Sequence, residues 1–417
     1  MSHSRTTASA PREKFPRAYY VALLSVLLYS LGLTLILPVL PLFVTDEIGA
    51  PAYWVGTATL FVTLTAVASR LPSGTLSDRH GRRKLMLIGV LVGVAANLLY
   101  SVTHSLPPFL VGRLLSGVSI GLFTTANKAL IADLAPPSRR GEALGMSNAA
   151  FSIAMIASPL LGEGVKNALG FREVFLTSAA LSALSALITY TLPRNRPEHQ
   201  PEGNLRHSVQ LILRMRGAWA AILLMVGTGV GFTVTITYFP LLAERKAVFA
   251  DAPAWLVPVA IGLGLSIWAL VDTLIEPLAG RLSDRVGRQT VAIPGLALLM
   301  SGLWAVSHIR HTSGAYVALA TLAVGWGTVR TIGDALAQDS VPPALRGMIA
   351  AVIYTAFDLS IGINAQLLGG LIQGDDFGAF FRAALGITLA ACALGIVLST
   401  RLRPHPSANL VTVQSRD

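Results

Sequence analysis

Acidic side chains interrupt long apolar segments in the second half of this 417-residue chain. They are Asp272, Glu276, Asp334 and Asp358, and the base Arg330 lies four residues before Asp334. A carboxylate in apolar surroundings is costly, so it either pairs with a base or takes up a proton. The four acids are therefore candidates for proton coupling.

Two of these acids, Asp272 and Glu276, share one face of a helix and cannot neutralise each other. One of them is a candidate proton carrier, and the alternative is a fixed salt bridge with the first half of the chain. For Asp334, the four-residue spacing to Arg330 favours a local ion pair. The first half carries bases at comparable depth, namely Arg70, Arg113 and Lys128, so the two halves are complementary in charge.

Composition predicts the elements that position these groups. Hydrophobic residues make up 53% of the chain and charged residues 13%, against about a quarter charged in soluble domains. At about 20 apolar residues per spanning helix, we predict an all-α membrane protein of about twelve transmembrane helices. They lie near residues 19–44, 54–75, 85–104, 108–132, 143–167, 172–192, 217–243, 255–280, 290–309, 314–338, 348–372 and 378–401.

The formal net charge of +11 does not by itself indicate nucleic-acid binding. Basic residues concentrate in alternate connections between the apolar segments, as the positive-inside rule requires of a membrane protein. This pattern predicts a multi-pass protein of the plasma membrane, in bacteria the inner membrane, with both termini in the cytoplasm and no nucleic-acid partner. The lone Cys392 excludes an internal disulfide and does not indicate a metal cluster.

An internal repeat divides the chain. The segment Gly74–Arg83 recurs as Gly280–Gln289, and Asp133–Gly141 recurs as Asp339–Gly347, at an offset of 280 − 74 = 206 residues. Six helices on each side imply two parallel six-helix repeats. We predict an N-terminal half over 1–192, a cytoplasmic linker over 193–216, a C-terminal half over 217–401 and a cytoplasmic tail over 402–417.

The two repeated segments resemble the signature loop of the major facilitator superfamily and its echo after helix 4. The segment Arg113–Gly117, followed by Gly121, is similar to the helix 4 motif of the proton-coupled drug and metabolite exporters of that superfamily. The resemblance implies a secondary active transporter that exports a small molecule by alternating access, in exchange for protons. It implies no cofactor, no enzymatic activity and a monomer in the lipid bilayer.

The helix 5 segment departs from the exporter pattern, because Ala154 and Ser158 stand in the stretch where glycines are expected. A proton symporter or a facilitator for a small polar metabolite is therefore the alternative. A membrane receptor or enzyme is a more remote one, since no catalytic constellation or metal-ligand spacing is present.

The repeated segments are expected to form a gate at the inner face. Gly81 suits a tight turn, and Gly74 suits a close approach of helices. Arg79, Arg82 and Asp133 could form a charge network. The alternative is that the basic residues serve only to fix the topology. The gating residues predicted from the motif and its repeat are Gly74, Asp78, Arg79, Gly81, Arg82, Asp133, Arg140, Gly280, Asp284, Arg285, Gly287, Asp339 and Arg346.

A substrate cavity is expected between the charged segments, with Arg113, Lys128, Arg330, Trp326 and Tyr238 as candidate lining residues. Bases from one half and acids from the other would suit a zwitterionic metabolite. The alternative is that these charges pair with one another and leave a mostly apolar pocket, suited to a lipophilic cation.

Overall fold

Long helices dominate the structure, a computed structural model that describes residues 14–194, 205–342, 345–372, 374 and 376–400. Within these ranges, the side chains of residues 71, 75, 78, 137 and 205–208 lie outside the description.

The helices of the first half are α1 (Arg17–Leu35), α2 (Leu40–Leu42), α3 (Tyr53–His80), α4 (Arg82–Ser101), α5 (Leu106–Leu134), α6 (Arg140–Leu169) and α7 (Phe171–Thr191). Those of the second half are α8 (Leu205–Leu213), α9 (Arg216–Phe232), α10 (Phe239–Arg245), α11 (Ala260–Val286), α12 (Arg288–Ser307), α13 (Thr312–Asp339), α14 (Arg346–Gly369) and α15 (Gly378–Thr400).

Two of the long segments contain a wider, π-helical turn. Phe43–Glu47 continues α2, and Thr233–Tyr238 joins α9 to α10 without a break. The segments 17–47, which has a turn at 36–39, and 216–245 are each long enough to be one span. In the described part of the chain, eleven segments are long and apolar enough to cross a membrane. With α3, which is 28 residues long, they confirm the predicted all-α membrane fold of about twelve helices.

Helices in the repeated parts of the sequence begin and end at equivalent positions. Helix α4 begins at Arg82 and α12 at Arg288, and they end at Ser101 and Ser307. The turn before each of them is made by a glycine, with φ of 91° at Gly81 and 97° at Gly287. Residues with a Cβ rarely adopt such positive φ values, so the tight turn expected at Gly81 occurs twice.

The chain forms two compact units. Unit 1 contains Met1–Pro201 and Ala252–Ser266, and unit 2 contains Glu202–Asp251 and Ile267–Asp417. Helix α11 therefore begins in unit 1 and continues in unit 2. The segment expected to be a linker contains the short helix α8, which packs on α9 and α14 of unit 2.

Small polar side chains join the helices of unit 1. Ser25 on α1 shares hydrogen bonds with Thr189 on α7 (Oγ–Oγ1 2.6 Å) and with Ser185 (Oγ–Oγ 3.1 Å). Residues 252–266 are held by α6, because the buried carboxylate of Glu163 accepts a hydrogen bond from the backbone N–H of Gly262. Small hydroxyl residues are typical of close helix contacts in membranes, where burial of apolar surface drives little association.

Candidate functional site

In unit 1, a charge cluster joins the end of α5 to the turn between α3 and α4. Arg82 follows the Gly81 turn, and its Nε donates to Oδ2 of Asp133 at 3.1 Å. Its Nη1 donates to Oγ of Ser77 at 3.1 Å. One guanidinium therefore holds residues from three helices.

Unit 2 repeats this cluster atom by atom. Nε of Arg288 donates to Oδ2 of Asp339 at 3.0 Å, and its Nη1 donates to Oγ of Ser283 at 2.7 Å. The same Nη1 donates to Oδ1 of Asp284 at 2.5 Å. We call these two groups the turn clusters; Arg82, Ser77 and Asp133 form the first, and Arg288, Ser283, Asp284 and Asp339 the second.

The turn clusters are suited to opening and closing, because partly exposed ion pairs stabilise a protein by only about 0–1 kcal/mol. The carboxylates of Asp133 and Asp339 are 31% and 56% exposed. Contacts of this strength can form in one conformational state and break in another at little cost.

The other predicted gating residues lie outside the two turn clusters. Exposed arginines stand at the ends of the helices, namely Arg79, Arg140, Arg285 and Arg346. The side chain of Asp78 lies outside the described residues. The close approach expected at Gly74 is absent, since no described atom lies within 4 Å of where its Cβ would be; at Gly280 the nearest is Cγ2 of Thr331 at 3.7 Å.

Sequence reasoning missed Arg288, Ser77 and Ser283 as members of this arrangement. The signal for Arg288 was present, since the repeat places it at the position equivalent to Arg82. The serines carried the same signal, since Ser77 and Ser283 are also 206 residues apart within the repeated segments. Their hydrogen bonds to the arginines become visible only in three dimensions.

A second cluster of charges lies within unit 2, between α11, α13 and α14. Arg330 on α13 forms an ion pair with Glu276 on α11 and a longer one with Asp334, Nη1–Oδ2 3.8 Å. Tyr354 on α14 donates to Oδ2 of Asp334 at 3.4 Å. The guanidinium of Arg330 also stacks on Trp326, 4.9 Å from the ring centroid. Two of the four candidate acids therefore have the same base as partner.

Asp272 differs from its neighbour Glu276. Its Oδ1 is buried and has no hydrogen-bond partner among the described residues. The carboxylate lies against α13 at Gly327, where a Cβ would collide with this same Oδ1 and would lie 2.6 Å from Cγ2 of Ile275. An ionised carboxylate without hydrogen bonds is expensive inside a protein or a bilayer, and a protonated one costs much less.

Four aromatic rings lie next to the charge cluster, which they meet where Arg330 stacks on Trp326. Trp268 and Trp326 have centroids 4.9 Å apart, and Phe232 lies 6.1 Å from each of them. Phe357 on α14 completes the group at 5.9 Å from Phe232. Trp326 donates its Nε1–H to the carbonyl oxygen of Thr228 at 2.7 Å, which fixes the orientation of its ring. We call Phe232, Trp268, Trp326 and Phe357 the aromatic group.

Several predicted cavity residues are packed into the protein rather than presented to a ligand. Tyr238 is 1% exposed and donates to the carbonyl oxygen of Ala365 at 2.6 Å. Arg113 is 7% exposed, and its Nε donates to the carbonyl oxygen of Ala58 at 3.3 Å. Tyr238 therefore serves packing within unit 2, and Arg113 serves contacts within unit 1. Lys128 is exposed and Asp358 is half-buried.

The family model described as Major Facilitator Superfamily matches residues 22–365 and 256–416. Multidrug resistance protein MdtG of Proteus mirabilis is 27% identical over 396 residues, which cover 91% of this chain and 94% of that protein. An uncharacterized MFS-type transporter of Methanocaldococcus jannaschii is 20% identical over 386 residues, 90% of this chain and 97% of that protein.

Two solved structures share the fold. The nucleoside transporter NupG has a TM-score of 0.77 at 14% identity and covers 92% of this chain. A bacterial homolog of the human lysosomal transporter Spinster, in an inward-facing and unoccupied conformation, has a TM-score of 0.76 at 16% identity and covers 94%. Both are matched over 100% of their own length.

Proposed function

This chain belongs to the major facilitator superfamily, and from that membership we propose that it exports a small molecule by alternating access in exchange for protons. It is a multi-pass membrane transporter. The observation that carries the coupling proposal is the contrast between two acids one helical turn apart. Glu276 is paired with Arg330, and Oδ1 of Asp272 has no hydrogen-bond partner in the part of the chain that the structure describes.

Asp272 is our proposed proton carrier. A buried carboxylate that lacks a hydrogen bond is best satisfied by a proton, and access of water would favour its release. Glu276 is less suited to this role, because Arg330 already compensates its charge. The sequence left both acids open as carriers, and the contacts of unit 2 favour Asp272.

Export is the direction we propose, since the relatives named multidrug resistance protein are similar along nine-tenths of this chain. The departures at Ala154 and Ser158 in α6 keep a symporter or facilitator as the second candidate. Glycines at such positions allow close helix packing, and their replacement changes one of the features on which the antiport assignment rests.

For the substrate, we propose an amphipathic cation in place of the zwitterion considered above. A zwitterion needs a base for its carboxylate, yet Arg113 is buried on a backbone carbonyl and Arg330 is engaged by two acids. The aromatic group and Asp272 would suit an organic cation with an apolar body. Trp268 and Trp326 are 2% and 4% exposed, so this proposal requires that alternating access uncovers them.

The turn clusters are our proposed gate. Equivalent arginines bridge equivalent turns in the two units, and their strength is small enough for reversible breakage. We further infer that the protein works as a monomer in a plasma membrane with both termini in the cytoplasm, because the basic residues concentrate in the connections on that side.

Proteoliposomes with an imposed pH gradient test the proposal. We expect ethidium and tetraphenylphosphonium to move against the proton gradient and to dissipate it, and a protonophore to abolish their accumulation. Phenylalanine, as a zwitterion, should have no effect. Movement of none of these probes against the gradient, or equal movement with the protonophore present, would contradict proton-coupled export.

Matched variants locate the coupling site. Asp272→Asn should abolish proton movement driven by the cations. It also removes the acid offered to the substrate, so cation binding is measured separately and is expected to weaken. Asp251→Asn makes the same chemical change outside the long helices and should leave coupling intact. If Asp272→Asn moves protons as the wild type does, the proton site is elsewhere. If the protein prefers phenylalanine and Arg113→Ala loses this preference, the substrate is a zwitterion and not an organic cation.

A further inference from the structure

Gly327 occupies a position on α13 where any side chain would displace the carboxylate of Asp272. A Cβ at this position would collide with Oδ1 of Asp272, and the next contacts are Cγ2 of Ile275 at 2.6 Å and Cγ of Asp272 at 3.6 Å. The atom that would be struck first is the one for which the described residues provide no hydrogen-bond partner. The absence of a side chain at Gly327 therefore provides the space that Oδ1 of Asp272 occupies.

We propose that Gly327 is a positioning residue for proton exchange, whose bare backbone seats the carboxylate of Asp272 in a slot between α11 and α13. This inference rests on the proposed role of Asp272 as the proton carrier. The slot keeps the carboxyl group close to α13 and leaves its Oδ1 without a hydrogen bond. The negative charge of the carboxylate is then neutralised by uptake of a proton.

The internal repeat places a glycine at the equivalent helix crossing in each unit. The position equivalent to Gly327 in unit 1 is Gly121, whose Cβ would lie 2.6 Å from the carbonyl oxygen of Ala66. Ala66 is in turn equivalent to Asp272. Both units thus use a glycine to bring two helices together, and unit 2 places an acid at the point of closest approach.

The geometry makes a mild substitution informative. A clash under 3 Å with the end of a flexible side chain is relieved by moving that side chain, and the Asp272 carboxylate is such an end. Gly327→Ala should consequently shift this carboxylate. The second clash is with Cγ2 of Ile275, a stiff β-branched side chain, and Ile275→Ala/Gly327→Ala removes it, so that the helices stay in place. Gly314→Ala, on the same helix with no described atom within 4 Å of its Cβ position, is the matched control.

Infrared spectra of the purified protein, recorded over a range of pH and subtracted between wild type and variant at each pH, read the carboxylate directly and need no substrate. Asp272→Asn identifies the Asp272 bands by their loss, whether the group is protonated or ionised. We expect Gly327→Ala to move these bands, with the protonated carbonyl band at lower frequency because the displaced carboxyl group gains a hydrogen bond. Gly314→Ala should give the wild-type spectrum.

Unchanged Asp272 bands in a folded Gly327→Ala protein would overturn the inference. Bands that do not titrate, but still move in Gly327→Ala, would contradict Asp272 as the carrier and support the positioning role, so the two failures are distinguishable. If Gly327→Ala does not fold even together with Ile275→Ala, adding Asp272→Ala serves instead. It removes the struck carboxylate and should restore folding, and failure to do so would assign the glycine to helix packing alone.

In transport, Gly327→Ala should slow ethidium-driven proton movement by about tenfold, the order expected when a reacting group is misplaced by a fraction of an ångström. In an Asp272→Asn background, the same substitution should have no further effect. An equal additional loss in that background would show that Gly327 acts independently of Asp272.

Discussion

The two units share one design at their helix turns and differ at their helix crossings. Arg82 and Arg288 bridge equivalent residues with nearly equal distances, 3.1 and 3.0 Å to Asp133 and Asp339. At the crossing of α3 with α5, unit 1 has small and basic residues, whereas the crossing of α11 with α13 in unit 2 has acids. The turn clusters occur in both units, and they suit a conformational role that the two units share. The acids at the crossing of α11 with α13 suit a step, such as proton transfer, that occurs once in each transport cycle.

The difference at the crossings is systematic. The positions of Asp272, Glu276 and Asp334 in unit 2 correspond to Ala66, Arg70 and Lys128 in unit 1, and Arg330 corresponds to Thr124. Thr124 satisfies its hydroxyl on the carbonyl of Ile120 in its own helix, at 2.7 Å. Arg330 instead reaches across to another helix. At this position, therefore, unit 2 has a charged side chain that reaches another helix, and unit 1 has a hydroxyl group that bonds within its own helix.

The largest effect is expected from removing the base of that cluster. Arg330→Met would leave Glu276 and Asp334 without their shared partner and should lower the free energy of unfolding by about 3 kcal/mol, the low end for a broken buried pair, since Glu276 is 35% exposed. Thermal unfolding in detergent measures this. Adding Glu276→Gln and Asp334→Asn should restore stability; no recovery would mean that Arg330 acts through packing on Trp326.

The turns should respond equally in the two units. Gly81→Ala and Gly287→Ala force a Cβ into backbone conformations near φ 91° and 97°, at a cost of about 1–3 kcal/mol each. Gly141→Ala and Gly347→Ala, which have open space around the Cβ position, are the controls. Unequal losses of unfolding temperature at Gly81 and Gly287 would argue against one shared turn design.

A smaller change in stability is expected at the turn clusters, with a clear change in transport. Arg82→Gln and Arg288→Gln should each cost no more than about 1 kcal/mol of unfolding free energy, yet slow transport of ethidium if the clusters gate. The exchange Arg82→Asp/Asp133→Arg should recover part of the rate. Wild-type transport by both single variants would contradict the gating role.

The smallest effect concerns a cap found in unit 2. Asp251 accepts hydrogen bonds from the Oγ1–H and N–H of Thr312, 2.5 and 3.0 Å away at the start of α13, and these hold the pKa of its carboxyl below the ordinary value. A lowered folded-state pKa means that the stabilisation is present above the unfolded pKa, about 4, and is lost as the pH falls through the folded value.

Unfolding temperatures of the wild type and Asp251→Asn should therefore differ slightly at pH 7 and converge as the pH is lowered below about 4. The same substitution at pH 7 should leave unit 1 unaffected, as limited proteolysis of the two units would show. A difference that persists unchanged at low pH would indicate that the carboxylate charge is irrelevant to this contact.

Membrane class, helix number and the two-fold repeat follow from the chain without any coordinates. Hydropathy over 20 residues and a constant offset of 206 are properties of the linear sequence, and a bilayer leaves an apolar segment few alternatives to a helix. The turn glycines were equally accessible, because a repeated glycine next to a charged loop has a local physical reason.

The choice between Asp272 and Glu276 depended on tertiary structure. The two acids are indistinguishable by spacing and hydropathy, and they separate because a guanidinium from α13 reaches Glu276 while the bare backbone at Gly327 receives Asp272. In the same way, Tyr238 and Arg113 suited a cavity by residue type, but their hydrogen bonds to backbone carbonyls direct them into the packed interior. Pairing, burial and close approach join residues that are distant in sequence, so they are decided only when the helices pack.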